Sequence, residues 1–216
     1  ELDKELERRG LPFVRYADDS MIFCKSKRAA MRVKESITRF IENVLYLKVN
    51  KEKTVVSYVR GVKYLGYSFY VMKGECHLTV HPKSKAKMKA MLKELTSRSN
   101  GWGYAKRKQK LKEYIRGWVG YYHLANMKHL LLETDEWLRR RIRMCIWKAW
   151  KKVKTKVANL IRCGINKYQA YEWGNTRKGY WRIADSPILK RAIDNNKLRS
   201  AGYATLMGTY LEWHPK

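Results

Sequence analysis

Two adjacent carboxylates carry the clearest chemistry in this sequence. Asp18 and Asp19 follow Tyr16 and Ala17, and they stand between two short apolar runs, PFVRY and SMIFC. Two such runs around a short Asp-rich link are typical of a β-hairpin, which would hold both carboxylates at its tip. Adjacent carboxylates repel one another unless a cation joins them, and Mg²⁺ prefers oxygen ligands. The pattern therefore indicates a divalent-cation site suited to two-metal phosphoryl transfer.

The same residues also permit a purely structural interpretation. Asp is a common turn residue, so Asp18-Asp19-Ser20 between two strands can serve only to reverse the chain. A functional interpretation gives each neighbour a use as well. Ala17 is small and leaves room for a nucleotide, and Tyr16 is placed to stack against the end of a primer.

The elements that must position this hairpin mix strands with one helix. LDKELERRG is typical of the end of a helix that Gly10 stops, and apolar spacing predicts a second helix from about Arg28 to Val44. Further strands are predicted from TVVSYV, VKYLGYSFYVM and ECHLTVHP. The order β-β-α-β-β-β predicts an α+β fold with the helix packed on antiparallel sheet.

The rest of the chain is predicted to be helical. Amphipathic periodicity predicts helices over about 83–98, 106–125 and 127–152, which would form a small bundle. Shorter elements follow from about residue 157, where Ser186-Pro187 marks the start of a helix. The predicted domains are 1–82, 83–156 and 157–216.

The charge indicates a polyanionic partner. Lys and Arg total 48 against 19 Asp and Glu, a net charge of +29. Residues 1–82 carry 16 basic and 10 acidic residues, whereas residues 83–216 carry 32 and 9. Nucleic acid is the expected partner, through phosphate contacts and counterion release. A membrane is not expected, because the sequence has no apolar run of about 18 residues and no signal-peptide pattern, so the protein is expected in the cytoplasm.

Three basic patches are candidate phosphate contacts. The 139–156 basic stretch contains no acid, so pairing along the helix is not its purpose, and phosphate contact is favoured over a merely solvated face. Trp147 and Trp150 within it are expected in the core. The second patch opens the middle helix, and the third is a loop flanked by glycines. The candidates are Arg139, Arg140, Arg141, Arg143, Lys148, Lys151 and Lys152, then Lys106, Arg107 and Lys108, then Arg177 and Lys178.

Cysteine and histidine provide no competing metal site. The four cysteines include no CxxC pair, and buried reduced thiols are expected rather than zinc ligands or disulfides. The five histidines form no ligand constellation either.

Several motifs together resemble those of one family. FVRYADDSMIF resembles the YADD hairpin of reverse transcriptases, in the form found in group II intron enzymes. LKVNKEKT resembles the segment after the palm helix, and VKYLGYSF resembles the primer-grip hairpin. IRGWVGYY and DEWLRRRIRMCIWKAWKK resemble the maturase-specific thumb, and NTRKGYWRIADSPIL resembles the C-terminal region of the bacterial enzymes. The ordered set spans nearly the whole chain and is more specific than any single motif.

The resemblance implies a partial polymerase palm, a helical thumb and a small, mostly helical C-terminal nucleic-acid-binding region. Asp18 would be the main ligand of two Mg²⁺ ions and Asp19 a supporting one. Lys53 would protonate the leaving pyrophosphate, although a surface lysine is the plainer interpretation. Tyr16 and Ala17 would line the primer terminus and the incoming nucleotide. The primer strand would be held by Tyr64, Leu65, Gly66 and Tyr67, although packing is the plainer interpretation for Leu65 and Tyr67, because strand alternation predicts both on one face.

The partners implied by the resemblance are group II intron RNA, an RNA template with a DNA primer, and target DNA, in a bacterial cytoplasm near the nucleoid. Three functions fit. The first is an RNA-directed DNA polymerase that is also a maturase, and the second is a splicing maturase without polymerase activity. The third is a reverse transcriptase unrelated to introns, which the maturase-like thumb disfavours. The intact Asp pair favours the first, because a pure splicing factor has no need of two hairpin carboxylates.

We predict that the isolated chain binds nucleic acid but does not extend a primer. The family has a third metal-binding carboxylate on a strand upstream of the hairpin, and its nucleotide-gripping fingers are upstream too. Asp3 is a poor substitute because it belongs to the helix that enters the hairpin. The measurement is primer extension with Mg²⁺. Robust extension by the 216 residues that Asp18→Asn abolishes would refute the prediction.

Overall fold

The computed structural model describes residues 1–215, which divide into two compact units, Glu1–His81 and the residues from Pro82 onward. The first unit holds two small antiparallel sheets and two helices, and the second unit is helical. The predicted α+β class, a sheet-bearing part followed by a helical part, is confirmed.

The first unit begins with the helix and hairpin that the sequence predicts. Helix α1 spans Leu2–Arg8 and buries Leu6 completely. Gly10 ends the helical path with a φ of +63°, a conformation that costs glycine little. Strands β1, Phe13–Tyr16, and β2, Asp19–Ile22, then pair antiparallel.

Helix α2 confirms the prediction made from apolar spacing. It spans Lys27–Asn43, within one residue at each end of the predicted Arg28–Val44. The Ser26 side chain accepts a hydrogen bond from the Ala29 backbone N–H at 3.2 Å. This N-cap satisfies one of the amides that a helix leaves unpaired at its start.

The strand predicted from VKYLGYSFYVM is wrong in its first half. Leu65 and Gly66 have φ values of +48° and +81°, so the chain reverses there and Tyr64 pairs with Tyr67 as an isolated bridge. Strand β3 therefore begins after this turn, at Tyr67, and ends at Met72. It pairs antiparallel with β4, Glu75–Val80, across a second tight turn. Two positive φ angles in succession are typical of tight hairpin turns, and the Leu-Gly pair did not signal one.

The strand predicted from TVVSYV is also wrong. Residues 54–58 have no regular structure, and a 3₁₀ turn follows at Val59–Gly61. Val55 and Tyr58 are both exposed. A β-type composition favours a strand only where a partner supplies the ladder. In the described residues the sheets remain two separate pairs, β1-β2 and β3-β4, rather than the predicted single layer.

Three long helices open the second unit, as predicted, but each is shorter than its periodic pattern. Helix α3 spans Pro82–Leu95, α4 spans Tyr104–Tyr122 and α5 spans Lys128–Ala149. Their apolar faces meet in a core that includes Met88, Leu92, Leu111, Ile115, Leu131, Leu138 and Ile142. Trp147 is 2% exposed, which confirms its predicted place in the core.

Six shorter helices complete the unit: α6, Val153–Arg162; α7, Lys167–Gly174; α8, Tyr180–Ile183; α9, Pro187–Ala192; α10, Asn195–Ser200; and α11, Leu206–Trp213. The predicted helix start at Ser186-Pro187 is confirmed, because the Ser186 hydroxyl accepts from the Leu189 N–H at 3.3 Å. Helix α6 packs on α7, and α11 packs on α4 and α5. Gly174 permits the first contact, since a Cβ there would lie 2.6 Å from the Val157 side chain.

The cysteines meet their expectation only in part. All four cysteines are free thiols, but only Cys145 is buried, and Cys76 is exposed, which corrects the expectation of uniformly buried thiols.

Across residues 1–215, no helix combines the length and the apolar character needed to cross a bilayer.

A single buried carboxylate fixes the last helix on α5. Asp135 is 3% exposed, and its two oxygens accept from the Leu206 and Met207 backbone N–H groups at 2.8 and 2.9 Å. These amides open α11, so the carboxylate caps a positive helix end. Burial raises the pKa of Asp135, and the two backbone hydrogen bonds oppose that shift.

We predict that Asp135→Ala lowers the free energy of unfolding by about 1–3 kcal/mol, because two buried amides lose their acceptor. The matched control is Glu136→Ala, since the neighbouring glutamate is exposed and its loss changes stability by less than about 0.5 kcal/mol. Urea denaturation followed by circular dichroism measures both. Equal effects of the two substitutions would show that Asp135 does not cap α11.

Candidate functional site

The hairpin tip is a two-residue turn. Asp18 is the second residue of the turn, and Asp19 is the first residue of the strand that follows. Tyr16 lies directly opposite Asp19 in the ladder, so the turn consists of Ala17 and Asp18 alone. Asp19 is thus the first residue of β2 rather than part of the link, which corrects the predicted strand start at Ser20. Ala17 has a φ of +54°, the left-handed conformation that tight hairpin turns require. Directly opposed residues share a face, which brings the Tyr16 ring beside Asp19.

An ion pair attaches this hairpin to α1. The Arg15 guanidinium lies 2.8 Å from Asp3 Oδ2, and Arg15 is opposite Ser20 in the ladder. The Phe23 N–H donates to the Pro12 carbonyl at 2.8 Å and closes the base of the hairpin. The tip itself, from Tyr16 to Asp19, is exposed to solvent. The hairpin is therefore held at its base and along one face, and it presents both carboxylates outward.

The donor chemistry of the tip suits a hard cation. Asp18 and Asp19 supply carboxylate oxygens, and within residues 1–215 neither is engaged by an arginine or lysine. Asp3 cannot join them in this arrangement, because Oδ2 faces Arg15 and Oδ1 is buried without a hydrogen-bond partner. In that same part of the chain, no group of three His, Cys, Asp or Glu side chains is arranged to hold a metal ion. The tip accordingly offers two carboxylates of the kind that a hard cation prefers.

The other residues expected at a polymerase site lie in the loop and turn before β3. Lys53 is exposed, and its backbone N–H donates to Asn50 Oδ1 at 3.1 Å. Tyr64 and Tyr67 exchange backbone hydrogen bonds of 3.1 and 2.8 Å around the Leu65-Gly66 turn. Leu65 lies in this turn and not in a strand, so the prediction that strand alternation places Leu65 and Tyr67 on one face is wrong.

Several arginines of the 139–156 basic stretch donate hydrogen bonds to acceptors within the protein, whereas the sequence indicates a surface for phosphate. Arg141 donates to the Thr96 hydroxyl at 2.6 Å and to the carbonyls of Lys93 and Thr96 at 2.9 and 3.1 Å. These carbonyls belong to the C-terminal end of α3, where a helix leaves acceptors unpaired. Partial burial lowers the pKa of Arg141. Its guanidinium is committed to the protein rather than turned outward.

Arg143 and Arg107 are inside the second unit and are removed from the predicted nucleic-acid surface. They are 6% and 5% exposed. Arg143 donates to the Ile193 carbonyl at 2.8 Å and to Asn195 Oδ1 at 3.0 Å, so it joins the end of α9 to the start of α10. Burial, with a smaller contribution from nearby Arg139, lowers the pKa of Arg143. Arg107 donates to Asn100 Oδ1 at 3.1 Å. Sequence spacing could not show this burial, because the partners lie far along the chain or in a loop.

Three more predicted cations combine an internal contact with partial exposure. Arg140 donates to the Trp181 carbonyl at 3.0 Å and lies 3.3 Å from Asp185. Lys148 donates to the Arg98 carbonyl at 2.5 Å, and Lys108 donates to the Ala201 carbonyl at 2.8 Å. The Ala201 carbonyl ends α10, so Lys108 repeats the pattern of a cation at a helix C-terminus.

The remaining predicted cations form the surface available to phosphate. Lys151, Lys152 and Arg177 are exposed, and their side chains pair with no carboxylate in the described part of the chain. Lys106 and Lys178 lie over the rings of Trp102 and Trp173, at 5.3 and 5.1 Å from the ring centres. Arg139 is half-buried and acts electrostatically on Asp135. The structure thus separates exposed cations from structural ones within patches that look uniform in sequence.

Sequence reasoning missed two structural charges. Asp135 shares the apolar register of Leu131 and Leu138, and an acid in that register is a signal that could have been used. Lys197 donates to the Cys163 and Ala192 carbonyls at 2.8 and 3.1 Å, at the ends of α6 and α9. No sequence signal identifies Lys197, because its acceptors are set only by the packing of three helices.

Two family models match the chain. Reverse transcriptase (RNA-dependent DNA polymerase) matches residues 1–69, and Group II intron, maturase-specific domain matches residues 85–164. No curated protein matches the chain. The first match contains the Asp18-Asp19 hairpin, and the second contains the long helices that carry the 139–156 basic stretch.

We predict that Arg143→Met destabilises the second unit by about 1–3 kcal/mol, because the Ile193 carbonyl loses its donor inside the protein. The control is Lys151→Met, which removes the same charge from the surface and changes stability by less than about 0.5 kcal/mol. Denaturation midpoints measure both variants. RNA affinity of the folded protein is expected to fall for Lys151→Met and to stay unchanged for Arg143→Met; the reverse ranking would restore Arg143 as a phosphate contact.

Proposed function

This chain belongs to the group II intron-encoded reverse transcriptase/maturases, and from that membership we propose that it serves an RNA-directed DNA polymerase that also binds its intron RNA. One observation carries the proposal. An exposed, outward-facing carboxylate pair lies in the segment that matches a reverse transcriptase, and the excess of basic residues lies in the unit that contains the maturase-specific match. The first arrangement suits nucleotidyl transfer and the second suits RNA binding.

The proposed catalytic role of the hairpin is to hold Mg²⁺ beside the reacting phosphates. Asp18 would be the main ligand and Asp19 the supporting one. When bound, the ions would stabilise the negative charge that develops during phosphoryl transfer. The hairpin contributes rigidity, because Arg15 fixes it to Asp3 at 2.8 Å while the tip remains open to the primer. Tyr16, on the same face as Asp19, would contact the primer end, and Ala17 would leave space for the nucleotide.

The other first-unit residues have proposed roles around the primer. Lys53 is exposed in a turn after α2, where its ammonium group is available to donate a proton to pyrophosphate. The turn at Tyr64, Leu65, Gly66 and Tyr67 would hold the primer strand. Its compact form supports this role, because a tight turn lets backbone groups approach a ligand closely.

The second unit is proposed to bind intron RNA through its exposed cations. Lys106, Lys151, Lys152, Arg177 and Lys178 face solvent, and residues 83–216 carry 32 basic residues against 9 acidic ones. Each phosphate that such a surface neutralises releases a counterion, which makes binding steeply dependent on salt. The same surface would serve template–primer and target DNA, because backbone phosphate is common to all three.

RNA binding without polymerisation is the second candidate function. The concentration of charge in the unit with the maturase-specific match favours it, since that unit has the features needed to bind RNA on its own. The carboxylate pair favours the polymerase, because a protein that only binds RNA gains nothing from two exposed acids at a hairpin tip.

We expect the affinity for structured intron RNA to fall steeply with salt. The triple variant Lys151→Gln, Lys152→Gln, Lys154→Gln should reduce the slope of log affinity against log salt by about 1 for each phosphate that the variant no longer neutralises. The matched control removes three charges from α2 in the first unit, through Lys27→Gln, Arg28→Gln and Arg32→Gln. Fluorescence anisotropy over a salt series measures all three proteins. A shallow wild-type slope, or an equal weakening in the two variants, would contradict the proposed binding surface.

A further inference from the structure

Two consecutive aromatic residues on α8 are exposed and each lies under an arginine. Tyr180 and Trp181 are both 38% exposed. The Arg98 guanidinium carbon lies 5.1 Å from the Tyr180 ring centre, and that of Arg140 lies 3.9 Å from the Trp181 ring centre. These four side chains, here called the aromatic platform, come from the loop after α3, from α5 and from α8.

The contacts that hold the platform in place are made by Arg140 and by backbone carbonyls, not by the two rings. Arg140 donates to the Trp181 carbonyl at 3.0 Å and lies 3.3 Å from Asp185. Lys148 donates to the Arg98 carbonyl at 2.5 Å, which fixes the backbone beside Tyr180. Because the protein sets the position of the Arg140 guanidinium, a ligand that stacks here does not have to order it.

The electrostatic surroundings favour an anion. Arg177, Lys178 and Arg182 precede or follow the two aromatic residues within four positions, and all three are exposed. The nearby acid Asp185 is already paired with Arg140 and with Lys190 at 3.3 and 2.8 Å. Backbone phosphates would therefore meet cations on either side of the rings.

A purely structural use of these rings does not explain their exposure. Trp147, which packs in the core, is 2% exposed and also has a cation over its ring, Lys156 at 4.9 Å. Tyr168 on α7 shows the opposite case, since it is 82% exposed and has no cation over its ring among the described residues. Tyr180 and Trp181 combine partial exposure with a guanidinium over the ring, which is the arrangement that a stacking site needs.

We propose that the aromatic platform stacks unpaired nucleobases of a single-stranded segment, RNA or DNA. This inference rests on the proposed function and adds the strand state of the ligand at one named surface. Aromatic rings stack with any base that is free of its own stack, and arginine adds a cation–π contribution. A duplex keeps its bases stacked inside, so it can offer this surface only phosphates.

The test compares single-stranded and duplex binding by the 216-residue chain. The probes are an unstructured RNA of about 15 nucleotides, which spans a typical single-strand site, its DNA equivalent and a blunt duplex of the same length. The variant is Tyr180→Leu with Trp181→Leu, which removes both rings and no charge. We expect on the order of a tenfold or greater decrease in affinity for the single strands, the scale of one or two missing stacks, and less than about a twofold change for the duplex. The salt dependence should be unchanged, because it reflects the number of phosphates neutralised.

Two further variants guard the interpretation. Tyr180→Phe with Trp181→Phe keeps the rings and should keep single-strand affinity within about threefold, even if the leucine variant proves unstable by thermal denaturation. Tyr168→Leu with Tyr171→Leu removes two exposed rings from α7 and should have little effect. Loss of single-strand affinity in the phenylalanine variant, or an equal loss in the α7 variant, would overturn the proposal.

The remaining outcomes separate this proposal from the proposed function. A leucine variant that loses single-strand and duplex affinity equally, or loses neither, overturns the platform while leaving RNA binding intact. A wild-type protein that binds neither structured RNA nor single strands overturns the proposed function itself. A loss confined to the RNA or to the DNA probe supports the platform and identifies which strand it accepts.

Discussion

The second unit depends on one constraint: a helix leaves unpaired amides at its start and unpaired carbonyls at its end, and these groups must find partners when other helices cover them. Helix α5 supplies many of those partners. Asp135 caps the start of α11, Arg141 covers the end of α3, and Arg143 covers the end of α9. The signs match the helix dipole in each case, with the acid at a helix start and the bases at helix ends. One helix thereby fixes the positions of three others.

This arrangement changes the meaning of the large positive charge. A chain with a net charge of +29 repels itself when folded, and nucleic acid is the natural compensation. Part of the charge is nevertheless stabilised within the protein by backbone carbonyl dipoles, chiefly at arginines such as Arg141 and Arg143. The planar guanidinium of Arg141 reaches three acceptors at once, through a fixed fork of donors that a lysine ammonium does not have. Exposed lysines such as Lys151 and Lys152 remain for phosphate. Arginines and lysines both hold helix ends, as Arg143 and Lys197 show, and exposed cations of both types are the ones proposed to bind the ligand.

The first unit is under a different constraint: two carboxylates are exposed to solvent, and the strand beside them must still be held in position. The hairpin tip at Asp18 and Asp19 lies in solvent, while Arg15 fixes the strand beside it to Asp3 of α1. Exposure keeps the carboxylates available to a cation and a primer. Under the proposed function, the basic second unit would bind phosphate and the acidic tip would bind the metal that phosphate chemistry requires.

The sequence by itself determined the elements whose cause is local. Apolar spacing located α2 to within one residue, Ser186-Pro187 marked the start of α9, and the Asp pair between two apolar runs located the β1–β2 hairpin. Tertiary structure decided whatever depends on a distant partner. TVVSYV has the composition of a strand but finds no ladder, and the Leu65-Gly66 turn divides what looks like one continuous strand. In the sequence, three arginines look like surface cations: Arg107, Arg141 and Arg143. In the structure they donate hydrogen bonds to carbonyl and side-chain acceptors from other parts of the chain. Burial and hydrogen bonding depend on which segments come together, and residue spacing within one helix carries no information about that.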